Sequence, residues 1–257
     1  MINIFKTAES GMSAYQEELD HLSNDLVNMN TTGYKKTDVG FKELLMEKLD
    51  RRGTPLVDKT AVNGTGVKTG YTYKIRTQGN LISTGVSTDV ALDDDGQGLF
   101  AVTLRDGSIA YTRDGNFKVD STGVLVDSIG SRVYIEYEPG ASEGEPKLSS
   151  KDMTISEDGE ISLKQGEDEV KIGKIPVFTA IGDRAFYSIG NSYMKPQDPT
   201  EVTLSTDYSM QQGMLENSNV DTTETMTDVV STSRAFQMSS KALEVADELW
   251  GMINNMR

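Results

Sequence analysis

The sequence predicts an α+β fold, with helices at both ends of the chain, an extended connector after the first, and a central antiparallel β-rich region. Three observations carry this. Apolar or small residues recur at helical spacing from Ile4 to Met29 and again from Met226 to Ile253. Between these segments the period drops to two. Asp-Gly pairs punctuate the alternating runs.

The first segment places Ile4, Ala8, Gly11, Tyr15, Leu19, Leu22, Leu26 and Met29 at steps of four and three with one stutter. That is a coiled-coil-like seam. Glu9, Gln16, Glu17 and Asp20 face away from it. Asn24, Asn28 and Asn30 crowd the end of the helix, although asparagine weakens helices and competes for backbone hydrogen bonds. Gly33 follows Thr31 and Thr32 and is placed to end the helical region in a left-handed conformation. A β-branched residue there is expected to spoil assembly while sparing the β-rich domain.

Residues 31–70 are rich in Gly, Thr and Lys and read as the extended connector, with a short helix over 38–50. Residues 71–210 form the β-rich domain. Leu99–Leu104 and Ser108–Arg113 make a hairpin about Asp106-Gly107, and further turns fall at Asp114-Gly115 and Thr122-Gly123. Short strands follow at 132–137, 153–156, 160–164, 169–178 and 201–204. In the last segment, 211–257, Asp221 precedes Glu224 by three residues as in a capping arrangement. Met226, Val229, Ser233, Phe236, Ser240, Leu243, Ala246, Trp250 and Ile253 then form a second narrow stripe. An amphipathic helix gains most of its stability from packing, so a narrow stripe leaves each helix marginal alone. Residues 1–30 and 211–257 are therefore expected to pair as one inner helical domain, and to meet copies from neighbouring molecules.

Composition excludes several function classes. Forty Asp and Glu against 25 Lys and Arg give a net charge of −15, which disfavours any sequence-independent grip on nucleic acid or anionic lipid. Cysteine is absent, so disulfides, thiolate metal sites and cysteine nucleophiles are ruled out. The start, MINIFKTAES, lacks a basic segment followed by a continuous apolar run, so no cleaved signal peptide is expected. No stretch approaches the apolar length of a membrane span.

No catalytic constellation is present. His21 is the single histidine and sits mid-helix beside the seam, which argues against a Ser-His-Asp triad. An EF-hand loop centred on Gly96 would need ligands where Ala91 and Val102 stand, so ALDDDGQG reads as an acidic surface turn. GTGVKTG, residues 64–70, matches neither a phosphate-binding loop nor a dinucleotide fingerprint. No enzyme activity, metal, cofactor or small-molecule substrate is expected.

SNDLVNMNTTGYK, residues 23–35, resembles the N-terminal signature of the axial proteins of the bacterial flagellum, with Asn24, Leu26, Asn28, Thr31, Gly33, Tyr34 and Lys35 in place. TQGNLISTGVSTDVAL and GQGLFAVTLRDGSIAYTRDGNFKVDSTGVLV are similar to the β-domain motifs of the rod members of that family. LENSNVDTTETMTDVVSTSRAFQMSSKALEVADELW resembles their C-terminal motif, with Leu215, Glu216, Ser218, Asn219, Val220, Asp221, Arg234, Ala235 and Lys241 in register. The chain length, GTGVK (64–68) and FKELLMEKL (41–49) favour the distal over the proximal type of rod member.

The resemblance implies a structural subunit that assembles with itself helically into a tubular drive shaft. Other rod proteins, the hook protein and the flagellar type III export apparatus would be its partners, at an extracytoplasmic position in the basal body. Subunit contacts would fall on Gly11, Leu22, Asn24, Leu26, Asn28, Gly33, Tyr34, Asn219, Val220, Arg234 and Lys241. Buried asparagines of this kind specify register at a cost in stability. The alternatives are a proximal-rod or hook-type axial protein, or a non-flagellar acidic binding module with a coiled-coil dimeriser.

Overall fold

The computed structural model describes residues 2–48, 62–138, 148–149, 152–165, 168–180, 182, 185–198 and 201–256. Two compact units divide the chain. Unit 1 gathers Met1–Val27, Thr37–Tyr73 and Asp221–Arg257, and unit 2 gathers Asn28–Lys36 and Lys74–Val220. Residues 49–61 of the expected connector, and with them the end of its expected helix, lie outside the described residues.

Unit 1 contains helix α1, Ile2–Val27, and helix α2, Thr222–Asn255. The Asp221 carboxylate caps α2 by accepting the N–H groups of Thr223 at 2.7 Å and Glu224 at 3.0 Å. This satisfies two of the four N–H groups that a helix start leaves without partners. The helices pack antiparallel: Gly11 lies against Ser239, and further along Glu18 accepts a hydrogen bond from Thr232. Burial holds the Glu18 carboxyl above the ordinary carboxylate range, and the Thr232 hydroxyl partly offsets this.

The helix pair buries part of the expected seam. Ala8, Gly11, Ala14, Leu22 and Asp25 are buried on α1, and Thr225, Thr232 and Ala246 on α2. Ile4, Met226, Trp250 and Ile253, all seam positions by spacing, are exposed. Small side chains such as Ala8 and Gly11 let two backbones approach, while the bulky apolar residues towards the ends of the stripes stay outside. Asp25 is wholly buried, and both of its oxygens accept the Thr37 N–H, at 3.2 and 3.3 Å.

The expected helix over 38–50 is replaced by strands. Thr37–Glu43 pairs with Val67–Lys74, and Glu47–Lys48 pairs antiparallel with Val62–Asn63. Phe41, Leu44 and Leu45 mimic helical spacing, but Val67, Thr69, Tyr71 and Tyr73 provide a β-prone partner strand. Tertiary pairing overrides the short local pattern.

Unit 2 is built on a nine-stranded sheet and a four-stranded sheet. The anticipated hairpin is at the centre of the larger one: Leu99–Thr103 pairs antiparallel with Ile109–Thr112, with Phe100 opposite Thr112 and Thr103 opposite Ile109. Its turn closes through the Gly107 N–H on the Leu104 carbonyl at 2.9 Å. The smaller sheet aligns Glu136–Tyr137, Asp168–Lys174, Glu160–Gln165 and Met153–Ile155.

Alternation along the strands sorts the core. Phe100 and Val102 join Phe117, Leu125, Ile161, Leu163 and Ile172 in one apolar cluster shared by the two sheets. Leu99 and Ala101 point the other way, towards Tyr111 and Met194.

Two features of unit 2 were outside the sequence reading. Phe186–Gly190 and Tyr193–Pro196 form a hairpin whose turn holds Asn191 and Ser192 at φ +53° and +59°, the double left-handed geometry of a type I′ turn. The chain also returns late, so that Ser209–Gln212 pairs with Val90–Asp93 and Met214–Glu216 with Leu81–Ser83. This return carries the 215–221 motif back to the start of the unit.

Candidate functional site

Within unit 2, the segment after α1 and the segment before α2 meet at a buried cluster of charges. Gly33 takes φ +64° and donates its N–H to the Glu216 carbonyl at 2.9 Å. This conformation aims Lys35 inward, where the ammonium is 3% exposed. Nζ donates to Glu216 Oε1 at 2.6 Å and to the Thr77 carbonyl at 2.8 Å. Glu216 Oε1 also accepts the Gly79 N–H at 2.8 Å.

Arg113 supplies the second cation, and its guanidinium is wholly buried. Nε donates to Glu216 Oε2 at 2.5 Å and Nη1 to the Gly98 carbonyl at 2.5 Å. Nη2 donates to the Leu92 carbonyl at 2.9 Å and Asp94 Oδ1 at 2.6 Å. Asp94 is held in turn by the N–H groups of Gly96 and Gly98. Two cations and two carboxylates thus balance inside the protein. Burial drives the Lys35 pKa below the usual lysine range, and Glu216 opposes that shift. Such a cluster survives only because nearly every charged atom has a hydrogen-bonded partner.

Around the charges lies a shell of amide and backbone contacts. Asn219 donates through Nδ2 to the carbonyls of Ile75 at 2.8 Å and Thr77 at 3.1 Å, and its Oδ1 accepts the Lys36 N–H at 2.7 Å. Lys74 Nζ lies 4.4 Å from the centroid of the buried Tyr34 ring. Thr32 donates its hydroxyl to Asp114 Oδ1 at 2.7 Å.

Burial raises the Asp114 pKa, with the Asp127 and Asp89 carboxylates adding to the effect and the Thr32 hydroxyl opposing it. A carboxyl raised in the folded state costs stability when ionised, and that cost fades as pH falls through the raised pKa. Asp114→Asn keeps an acceptor for Thr32 and for the Asn116 N–H. At neutral pH the variant is expected to melt about 2–4 °C higher than the parent. The gain should shrink on acidification, and a gain that persisted unchanged at low pH would refute the assignment.

The sequence-derived contact residues divide between the units. Gly11, Leu22, Asn24, Leu26, Arg234 and Lys241 belong to unit 1, and Asn28, Gly33, Tyr34, Asn219 and Val220 to unit 2. Gly11 and Leu22 are buried, Leu26 is half-buried, and Asn24 and Arg234 are exposed. Exposed Lys241 pairs with Glu244 at 2.5 Å. Asn28 accepts the Thr31 hydroxyl at 3.1 Å. Gly33, Tyr34 and Asn219 are engaged inside their own chain, as described above, and Val220 is half-buried.

Sequence reasoning did not single out Lys35, Asp94, Arg113 and Glu216 as a cluster. Asp94 had been placed on an acidic surface turn, yet its side chain is 1% exposed because Arg113 and two glycine N–H groups enclose it. The available signal was Arg113 itself, a charge directly after the apolar alternation of Ile109–Thr112.

Comparison with known proteins places these segments in matching company. The family profile "Flagella basal body rod protein" matches residues 5–35, "Flagellar hook protein FlgE/F/G D1 domain" matches 95–163, and "Flagellar basal body rod FlgEFG protein C-terminal" matches 211–256. The flagellar basal-body rod protein FlgG of Borreliella burgdorferi is 34% identical over 270 aligned residues, covering 100% of this chain and 99% of that protein. FlgG of Buchnera aphidicola subsp. Acyrthosiphon pisum is 33% identical with 97% of each chain covered, and FlgG of Agrobacterium fabrum is 32% identical with 96% of each covered. With its terminal and β-domain motifs matched in order and its whole length aligned, the chain belongs to the flagellar basal-body rod protein family, to the distal, FlgG type.

Proposed function

We propose that this rod subunit assembles helically with copies of itself, through faces of its terminal helices, into the tubular shaft that joins the flagellar motor to the hook. Membership of the rod family makes the chain a structural component of the basal body and not an enzyme. The observation that carries the assembly reading is the outward apolar surface of unit 1. Ile4, Phe5, Met226, Met238, Trp250 and Ile253 are each at least 42% exposed, on helices whose mutual contact uses small residues. Apolar surface left open in this way marks an interaction face. Asn24, Arg234 and Lys241 would contribute polar contacts beside it, and Leu26 an apolar one. Other rod proteins and the hook protein would meet the ends of the assembly, and the flagellar type III apparatus would deliver the chain to its extracytoplasmic position.

The test is a Met238→Ser, Trp250→Ser, Ile253→Ser triple variant in a host whose own copy is deleted. Motility, electron microscopy of basal bodies and a melting curve of the purified protein are the readouts. The expected outcome is a non-motile cell without hooks, from a protein whose unit 2 melts as the parent does. Normal motility would overturn the assembly reading.

A further inference from the structure

We infer that Asn63-Gly64 is a site of spontaneous covalent modification, at which Asn63 loses its side-chain nitrogen and a new carboxylate forms beside Glu43 and Glu47. The inference does not depend on the assembly reading. Asparagine is a thermally labile residue. It is most labile before glycine, where no side chain shields the following nitrogen. Asn63-Gly64 is the single Asn-Gly step in the chain. Its surroundings leave the step open. Among the described residues, no hydrogen bond holds the Asn63 side-chain amide. The strand pair that contains it is two residues long, with Asn63 opposite Glu47 and the exposed Val62 opposite Lys48. So short a ladder opens locally. A Cβ added at Gly64 would meet Glu43 Oε1 at 3.9 Å, an ordinary contact, so the approach to the Gly64 nitrogen is uncrowded.

The reaction needs water alone. The Gly64 nitrogen bonds to Cγ of Asn63, and its proton departs with the side-chain nitrogen as ammonia, which leaves a five-membered imide. Water then opens the imide at one of its two carbonyls. One opening gives aspartate, and the other gives an isoaspartyl linkage that carries the chain through the former side chain. Either product places a negative charge directly opposite Glu47, with Glu43 close to Gly64. Like charges facing each other across a strand pair are destabilising. The isoaspartyl form also adds one atom to the backbone and breaks the alternation on which register depends. Asn63 and Gly64 line a groove of about 660 Å³ together with Ile4, Ala8, Met238 and Ala242, and no Asp, Glu, Lys or Arg lines it. The reaction therefore splits the strand pair and brings charge to an uncharged groove, at a pace set by the chain itself.

Ageing the folded, full-length chain in mildly alkaline buffer tests this, with tryptic peptide mass spectrometry as the readout. The peptide TAVNGTGVK, residues 60–68, should become heavier by one mass unit before any other asparagine-containing peptide, and should split into aspartyl and isoaspartyl forms on chromatography. Gly64→Ala, which the space around Gly64 admits, should slow the change by about tenfold or more. The same chain unfolded in urea gives the unrestrained rate. A folded chain that stayed unmodified while the unfolded one reacted would show that the strand pair blocks ring closure, and would overturn the site. Asn63→Asp installs one product directly. It should speed hydrogen exchange of the Leu44 amide, which donates to the Gly66 carbonyl at 3.0 Å in the same ribbon, whereas Asn63→Ser should not. Equal Leu44 exchange in the two variants would overturn the splitting of the pair.

Discussion

Arg113→Met lowers the melting temperature of unit 2 by about 10–15 °C, the largest loss expected from a single substitution in this chain. Methionine fills much of the volume of the side chain, so the effect isolates charge and hydrogen bonding from packing. The change leaves Glu216 Oε2 and Asp94 Oδ1 without their cation, and the carbonyls of Gly98 and Leu92 without their donor. Two carboxylates then share the single ammonium of Lys35 inside the protein. Breaking a buried pair from one side costs about 3–5 kcal/mol, because the abandoned charge stays buried. Near-UV circular dichroism during heating measures it. A loss below about 1 kcal/mol would mean that water reaches the cluster and that the charges are surface-like.

Gly33→Val comes second, with an expected loss of about 6–12 °C in the same transition. A left-handed backbone costs an L-residue about 1–2 kcal/mol. Crowding adds to it. A Cβ at Gly33 would stand 2.5 Å from the Asp114 nitrogen and 2.6 Å from the Arg113 carbonyl carbon, both backbone atoms that cannot swing away. Such overpacking brings a further cost of about 1–3 kcal/mol. Gly33→Ala should lose nearly as much, since the first side-chain atom already makes the clash. This corrects the sequence-based expectation that the β-rich domain would be spared. The sequence places Gly33 at the end of the helical region in a left-handed conformation, and its positive φ agrees with that reading. Its seat against residues 113 and 114 could not be seen, because that contact joins segments far apart in sequence. A parent-like melting curve for Gly33→Ala would refute the close approach.

The legible parts of the fold were those set by neighbouring residues. Asp106-Gly107 and Thr122-Gly123 announced their turns, and the alternation in Leu99–Leu104 announced its strand, because turn chemistry and period act over a few positions. Asp221 announced its cap for the same reason. The pairing of Met214–Glu216 with Leu81–Ser83 was illegible, since short strands carry no mark of a remote partner. Thr225 and Thr232 escaped notice because a stripe search looks for apolar or small residues, and these buried positions carry hydroxyls. At the site, motif positions such as Gly33, Tyr34 and Asn219 were found by resemblance. The charge cluster beside them was not, because Lys35, Arg113 and Glu216 look like solvated residues until the fold encloses them.

The hydrogen bond between the Lys36 N–H and Asn219 Oδ1, 2.7 Å long, has a kinetic consequence for the helices. Gly11 must find Ser239, and in an unfolded chain that search closes a loop containing nearly every residue. Loop closure grows dearer with the logarithm of loop length, by about 0.6 kcal/mol per doubling. Contacts between remote positions also slow folding. Once unit 2 has formed, Lys36 and Asn219 are pinned side by side, and the long loop is already closed. For the helices the intervening domain then counts as a short turn. Unit 2 should therefore fold first, and α1 and α2 should meet afterwards at the rate of a hairpin rather than of a full-length chain.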